Sequence, residues 1–185
     1  MNSRLTRRAL ALGPGALLLA PAAGLAAARL GDDGLYVQDW YEESFLDLSE
    51  DFAAATAAEK RFALQWSQRG CPLCKRLHTE YFADPAIETY VRDHFSVVHL
   101  DIFGAREVTV FGGATLSEKA LAGQYAVRAT PTFQFFGARD GKVFEVARLP
   151  GLLPKPEFLA MFRYVEAGAY ESVGFEAWLA AQKAP

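Results

Sequence analysis

Apolar residues along this chain recur at two spacings, and each spacing predicts one kind of element. Spacings of three and four residues place side chains on one face of a helix, whereas alternating or continuous apolar runs are typical of strands. The predicted helices are 45–58, 72–81, the segments that begin at Asp84-Pro85 and at Ser117, 156–167, and a short segment over 175–179. The predicted strands are 61–66, 95–103, 132–136 and 143–149.

Two of these strands are expected to form the centre of a sheet. In the first strand, Phe62, Leu64 and Trp66 lie on one side. The second, 95–103, is a nearly continuous apolar and β-branched run, which favours a strand buried on both faces. We expect the two to lie side by side. Asp140-Gly141 then predicts a tight turn that pairs the last two strands antiparallel.

Residues 104–116 interrupt this pattern after the second strand. Val108 and Val110 alternate with polar residues, and Gly112-Gly113 suits the turn of a small hairpin. The sequence therefore predicts an insertion where the second strand leaves the sheet. Two roles stay open for this insertion: contact with a partner, or packing against the sheet alone.

The order of elements predicts an α/β fold. Strand, helix, strand, helix, strand, strand and helix, preceded by an extra helix, join a βαβ half to a ββα half. A central mixed sheet flanked by helices buries such a chain. A length of 185 residues, with 51% hydrophobic and 22% charged residues, is typical of a single globular domain.

The first 28 residues change this picture because they have the pattern of an export signal. The segment begins with several arginines, and residues 9–28 carry no charge. The alanines at its end suit cleavage. Gly13-Pro14-Gly15 interrupts the run, which favours a cleaved leader over a membrane anchor. Arg7-Arg8 also resembles the twin-arginine signal, so that route and general secretion are both open. We expect a signal peptide over 1–28 and one domain over 29–185.

Loss of the leader also changes the charge. It removes three of the nineteen basic residues and none of the twenty-two acidic ones, which leaves a net charge of −6. Nucleic acid is therefore not an expected partner. Export predicts a bacterial periplasm or an equivalent space, where disulfides persist and a free thiol pair needs a source of electrons.

The only two cysteines, Cys71 and Cys74, follow the first predicted strand directly. At the start of a helix, the first sulfur would lie near unpaired N–H groups, whose partial positive charge favours thiolate over thiol. Cys74, one turn later, would be more buried and within reach of the first sulfur. This pattern predicts that Cys71 attacks a substrate disulfide and that Cys74 releases the mixed disulfide.

The cysteine pair could also serve as a structural disulfide or as part of a metal site. A structural staple is the weaker one, because closing a four-residue loop removes little unfolded-chain entropy. A Cys-x2-Cys-x3-His metal site would add His78, but there is no second cysteine pair, and His94 and His99 stand at uninformative spacings. We expect His78 to be a solvated helix residue, and we expect no metal or other cofactor.

A second feature lies far along the chain. Pro131 follows Thr130 and directly precedes a predicted strand, which fits a cis-proline turn, with an ordinary trans proline as the alternative. The cysteine motif and this proline, in this order of elements, resemble the thioredoxin superfamily over about residues 45–167.

The resemblance implies a thioredoxin fold and a role for each residue of the site. Cys71 is then the nucleophile and Cys74 the resolving thiol. The Thr130-Pro131 loop lies beside the sulfurs and lends its backbone to an extended substrate peptide. Pro72 and Leu73, between the cysteines, are expected to contact the substrate as well.

Several short stretches are similar to the periplasmic thioredoxins encoded with sulfur-oxidation systems, the SoxW type. They are Gly-Cys-Pro-Leu-Cys-Lys, Asp-Pro-Ala-Ile, Arg-Glu-Val-Thr, Leu-Ser-Glu-Lys-Ala-Leu, Thr-Pro-Thr-Phe and Met-Phe-Arg-Tyr-Val. This resemblance implies electrons from a membrane thiol transporter, used on periplasmic protein disulfides, oxidised thiols or sulfur-carrier proteins. We expect the protein to act as a monomer.

Two positions depart from ordinary thioredoxin, which has Trp-Cys-Gly-Pro-Cys and a buried aspartate six residues before the first cysteine. Gly70 precedes the motif and Pro72-Leu73 fills it, so the redox potential cannot be carried over. Gln65 stands at the aspartate position and cannot take the proton from Cys74. A water molecule or another carboxylate would have to do so.

The leading hypothesis is therefore a periplasmic thiol:disulfide oxidoreductase that works as a reductant. A disulfide oxidase or isomerase of the same fold is one alternative. A non-catalytic metal-binding or partner-binding module on the same scaffold is the other.

Overall fold

The computed structural model describes residues 28–183. The predicted signal peptide lies outside these residues apart from its last residue, and its cleavage stays a prediction. The strands are β1 (Arg29–Leu30), β2 (Tyr36–Val37), β3 (Arg61–Ser67), β4 (Phe95–Asp101), β5 (Glu107–Thr109), β6 (Thr115–Ser117), β7 (Thr132–Arg139) and β8 (Lys142–Pro150). The helices are α1 (Leu48–Ala57), α2 (Pro72–Arg76), α3 (Pro85–His94), α4 (Glu118–Gln124), α5 (Lys155–Glu166) and α6 (Phe175–Gln182), with a π-helical turn over Leu77–Tyr81 and a 3-10 turn over Ala169–Glu171.

A four-stranded mixed sheet in the order β4-β3-β7-β8 forms the centre of the fold. β3 and β4 are parallel, as expected, and the other neighbouring strands are antiparallel. Parallel pairing brings the ends of β3 and β4 to one edge, where Ser67 and Asp101 are register partners. Because the cysteines directly follow β3, the candidate site lies at this edge of the sheet.

Both faces of the sheet are covered by helices, which confirms the predicted α/β fold. Phe62, Leu64 and Trp66 pack with α1 and α4 on one face. Ala63 and Val97 point to the other face, where they join α3, α5 and the π-helical turn. Burial of each large apolar side chain stabilises the fold by about 1.5–3 kcal/mol.

Side-chain caps fix where several helices begin. Asp47 accepts hydrogen bonds from the first backbone N–H groups of α1, and Asp84 does the same for α3. Ser117 caps α4 through the N–H of Ala120. The predicted helix starts at Asp84 and Ser117 are therefore confirmed, and the cap explains why α1 does not begin earlier.

Two predicted elements extend too far. The helix predicted over 45–58 begins only at Leu48, and Phe45 is fully exposed, because Leu46 adopts a left-handed φ of 63°. The strand predicted over 95–103 ends at Asp101, and Phe103 is 66% exposed. Its N–H donates to the Asp101 carboxylate, which turns the chain away from the sheet.

The predicted insertion is a small hairpin of β5 and β6, with Val108 and Val110 buried against the sheet. The antiparallel pair β1 and β2 at the other end of the chain was not predicted. Within 28–183, no helix is long and apolar enough to cross a membrane.

Candidate active site

The cysteine pair lies at the N-terminus of α2. Cys71 is the N-cap residue with extended backbone, and its Sγ accepts a hydrogen bond of 3.0 Å from the Cys74 N–H. Pro72 follows at the first helical position, where its missing N–H is not needed. The two cysteines are joined in a disulfide. Cys71 is 7% exposed and Cys74 only 1%, so Cys71 is the sulfur that a partner can reach.

The Thr130-Pro131 loop lies against Cys71, although it is distant in sequence. The Thr130 hydroxyl donates to Cys71 Sγ at 3.3 Å, and the Thr130 carbonyl oxygen lies 3.5 Å from the same sulfur. The Thr130–Pro131 peptide bond is cis, as the sequence predicts. The Pro131 carbonyl accepts a hydrogen bond of 2.7 Å from Gly151 N–H, which ties the loop to the end of β8.

The residues predicted to contact substrate divide into two groups. Thr130 is half-buried and Pro131 is buried. Pro72 is exposed, and Leu73 is 41% exposed beside the reachable sulfur. The structure thus brings three of the four next to solvent at the cysteine pair.

Exposed basic residues flank the cysteines. Arg69 precedes them, Lys75 and Arg76 follow them, and Arg128 lies shortly before the cis-proline loop. Arg76 also forms a surface ion pair of 2.8 Å with Glu80. Positive charge near a reduced cysteine favours its thiolate form, as does the helix N-terminus.

His78 is buried, so the expectation of a solvated helix residue is wrong. Its side chain is 1% exposed, and its Nδ1 lies 3.2 Å from Gln38 Nε2. Its ring packs edge-on against Tyr41 and Phe82. The cause is the segment that follows β2, which covers this face of the helix and which no sequence pattern had placed there.

His99, on β4, lies beside His78 and Tyr41. The two imidazole centroids are 6.4 Å apart, and Tyr41 is 5.6 Å from His99. Burial lowers the pKa of His78 to about 3, and the neighbouring His99 adds to this effect. Burial also lowers the pKa of His99 to about 3, with a further contribution from the Arg106 guanidinium. Both imidazoles are therefore neutral near pH 7.

Gln65, six residues before Cys71, is completely buried. Its Nε2 donates to the Trp66 carbonyl at 2.9 Å, whereas its Oε1 has no partner among the described residues. An amide does not take up a proton near neutral pH. The proton of Cys74 therefore needs another acceptor.

The described residues give the metal-binding alternative no support. Among 28–183, no three His, Cys, Asp or Glu side chains are grouped so that they could hold a metal ion.

Sequence reasoning missed the buried polar side chains behind the cysteines. His78 follows Cys74 by four residues, a spacing that places both on one helical face, and this was the available signal. No comparable signal exists for Gln38 and Tyr41, because they come from an irregular segment that folds back over the helix.

Comparison with known proteins agrees with this fold. A family model described as a thioredoxin-like domain matches residues 48–166. A thioredoxin-fold protein from Helicobacter pylori is 25% identical with a TM-score of 0.57, and the match covers 66% of this chain and 81% of that one. A thioredoxin from Thermus thermophilus is 28% identical with a TM-score of 0.52, over 64% of this chain and 83% of that one. No curated protein sequence is significantly similar.

Proposed function

Because this chain belongs to the thioredoxin-like domain family, we propose that it is an exported thiol:disulfide oxidoreductase that works as a reductant in the periplasm. The family and the cysteine pair support the general activity. The predicted signal peptide supports the location. The substrates are disulfides or oxidised thiols of exported partner proteins.

The observation that carries this proposal is the position of Cys71 Sγ. It lies at the N-terminus of α2, accepts a hydrogen bond from the Cys74 N–H, and belongs to the more exposed of the two cysteines. A hydrogen bond to sulfur and the helix N-terminus both stabilise a thiolate. Since the thiolate is the nucleophile in disulfide exchange, Cys71 is the attacking group.

Reduction of a partner disulfide then takes two exchange steps. The Cys71 thiolate attacks one partner sulfur, so the Cys71–partner bond forms, the partner disulfide breaks, and the other partner sulfur leaves as a thiolate. Cys74 next loses its proton and attacks Cys71 Sγ. The Cys71–Cys74 disulfide forms and the partner leaves with both electrons, so the protein ends oxidised.

The cis-proline loop supplies the surface on which the partner lies. Thr130 contacts Cys71 Sγ through its hydroxyl, so a peptide bound along this loop has its cysteine next to the nucleophile. Leu73, between the two cysteines, offers an exposed apolar side chain. Positioning of the two sulfurs in this way lowers the entropic part of the barrier.

A finer assignment is the SoxW type. The short stretches quoted above, with the predicted export signal, support a protein that takes electrons from a membrane thiol transporter. Its partners would be periplasmic disulfides or sulfur-carrier proteins of a sulfur-oxidation pathway. No cofactor beyond the cysteine pair is required for this chemistry.

Replacement of the resolving cysteine tests the activity. In Cys74→Ser, the second step is blocked, so Cys71 should stay linked to its partner. Purification of the variant from a periplasmic extract under non-reducing conditions should yield disulfide-linked adducts that reductant releases. Cys71→Ser and the double variant should yield none. Absence of adducts with every variant would reject the proposed activity.

The direction of electron flow is tested separately by the reduction potential of the Cys71–Cys74 pair. Donors such as thioredoxin lie near about −270 mV, whereas strong oxidants lie near about −120 mV. We expect a value near the donor end, measured by equilibration with glutathione or dithiothreitol buffers. A value near the oxidant end would favour the oxidase or isomerase alternative.

A further inference from the structure

Buried polar atoms without a hydrogen-bond partner collect in one region behind the cysteines. Seven such side-chain atoms occur within 28–183: Gln38 Oε1, Trp40 Nε1, Tyr41 OH, Gln65 Oε1, Ser67 Oγ, His78 Nε2 and His99 Nε2. Buried polar groups are normally paired, and internal water typically binds where several are not. Their concentration in one place therefore points to a function.

Four of these residues lie next to one another, and we call them the polar track: Gln38, Tyr41, His78 and His99. Gln38 Nε2 lies 3.2 Å from His78 Nδ1. The ring of Tyr41 has its centroid 5.7 Å from that of His78 and 5.6 Å from that of His99. The ring of Tyr41 is therefore in contact with both imidazoles.

The outer end of the polar track reaches the surface. A cleft of about 430 Å³ is lined by Gln38, Tyr41 and His99, together with Arg106 and other residues. Three of the four members of the track therefore border a space that solvent enters. The unpaired atoms of these three residues are themselves buried.

The inner end of the polar track lies one helical turn from the resolving cysteine. His78 follows Cys74 by four residues, and each is 1% exposed, so both lie on the buried face of the helix. Gln65 is the register partner of His99 on the neighbouring strand, so their side chains share one face of the sheet. Cys74 and His78 are thus both buried, one helical turn apart, and the ring of His78 lies against that of His99 on this face of the sheet.

We propose that the polar track carries the proton of Cys74 to the surface cleft when Cys74 attacks the mixed disulfide. This inference rests on the proposed function. His78, Tyr41 and His99 act as positioning residues that hold water molecules in line. The thiol of Cys74 gives its proton to this water, the thiolate displaces the partner from Cys71, and the partner thiolate takes up a proton from solvent.

The charges around the polar track favour transfer of a proton along it over binding of a proton at either histidine. Tyr36, Tyr41 and His99 face His78, and Arg106 faces His99. The low pKa of both histidines, about 3, keeps them uncharged at pH 7. A neutral imidazole can hydrogen-bond water through Nε2 without trapping the proton there.

A two-phase reaction tests this step apart from the first one. When reduced protein meets the aromatic disulfide DTNB, Cys71 releases one coloured thiolate in a bimolecular phase, and Cys74 releases the second in a unimolecular phase. In Tyr41→Phe and His78→Leu, we expect the second phase to slow by about tenfold at pH 7. Its pH profile should move to higher pH, whereas the first phase should keep its rate.

Matched variants separate a proton path from a structural effect. His78→Gln keeps a polar side chain and should recover most of the rate, and His94→Leu, at an exposed imidazole, should change neither phase. Tyr41→Phe removes only an unpaired hydroxyl, so it decides the matter if His78→Leu does not fold. A second phase within twofold of wild type in Tyr41→Phe would overturn the inference. Loss of the first phase in wild type would instead reject the proposed function.

Discussion

A neutral imidazole inside a protein couples folding stability to pH. The pKa of His78 is about 3 in the folded chain, whereas an unfolded histidine titrates near about 6.5. Between these values the unfolded chain binds a proton that the folded chain does not, so stability falls as the pH falls. From His78 alone we expect the free energy of unfolding to decrease by about 2 kcal/mol between pH 7 and pH 5.

Urea unfolding of wild type and His78→Gln at these two pH values checks this prediction. The variant should be less stable at pH 7, because the ring packing is lost, but its stability should decrease less toward pH 5. His99 should account for a similar decrease in both proteins. His94→Gln, at an exposed position, serves as the control. Equal decreases in wild type and His78→Gln would contradict a buried, neutral His78.

At the level of elements, the loop after β4 is held by a buried carboxylate. Glu118, 1% exposed at the start of α4, accepts hydrogen bonds from the backbone N–H groups of Asp101 and Arg106 and from the Arg106 guanidinium. Gly104 approaches it so closely that a Cβ there would overlap Glu118 Oε2. We therefore expect Gly104→Ala to lower the free energy of unfolding by about 2 kcal/mol, because hydrogen bonds to a charged group are lost.

Gly123→Ala is the matched control for that substitution. Gly123 lies in α4, and a Cβ there meets no atom within 4 Å. Alanine is the better helix former, so this variant should be as stable as wild type or more stable by up to about 1 kcal/mol. Chemical unfolding of both variants under the same conditions measures the difference. Equal stabilities of Gly104→Ala and Gly123→Ala would show that Glu118 moves away from the added methyl group at little cost in free energy.

Regular elements could be predicted because their signals are local. β3 and β4 carry apolar patterns of the right period, and α3 and α4 begin at capping residues visible in the sequence. The surroundings of His78 could not be predicted, because they depend on the segment after β2. That segment has no periodic pattern, and it is held by contacts with residues about 40 positions away, such as Gln38 with His78.

The site shows the same division between local and long-range information. The cysteine motif and Thr130-Pro131 are recognisable in sequence, and the structure brings Thr130 against Cys71. The replacement of the thioredoxin aspartate by Gln65 was also visible. The side chains that compensate for this replacement could not be recognised in the sequence. Tyr41, His78 and His99 come from three separate parts of the chain and meet only in the folded protein.

On the scale of the whole molecule, charge is distributed unevenly around the reactive sulfur. Residues 29–185 carry a net charge of −6, yet Arg69, Lys75, Arg76 and Arg128 are exposed around the cysteine pair and its facing loop. Local positive charge attracts an anionic reactant over about one Debye length, roughly 10 Å at 0.1 M salt. The partner surface around the target disulfide is therefore expected to be acidic.

Two small disulfides of opposite charge test this asymmetry. Relative to wild type, Lys75→Gln and Arg128→Gln should each lower the rate with anionic glutathione disulfide by about threefold and leave the rate with cationic cystamine unchanged or raised. Both effects should shrink at high salt, because screening shortens the range of the field. Lys142→Gln removes an equally exposed charge at the β7–β8 turn, at the end of the sheet away from Cys71, and should change neither rate. Equal losses with both disulfides would mean that the two side chains act on Cys71 itself rather than on the approaching partner.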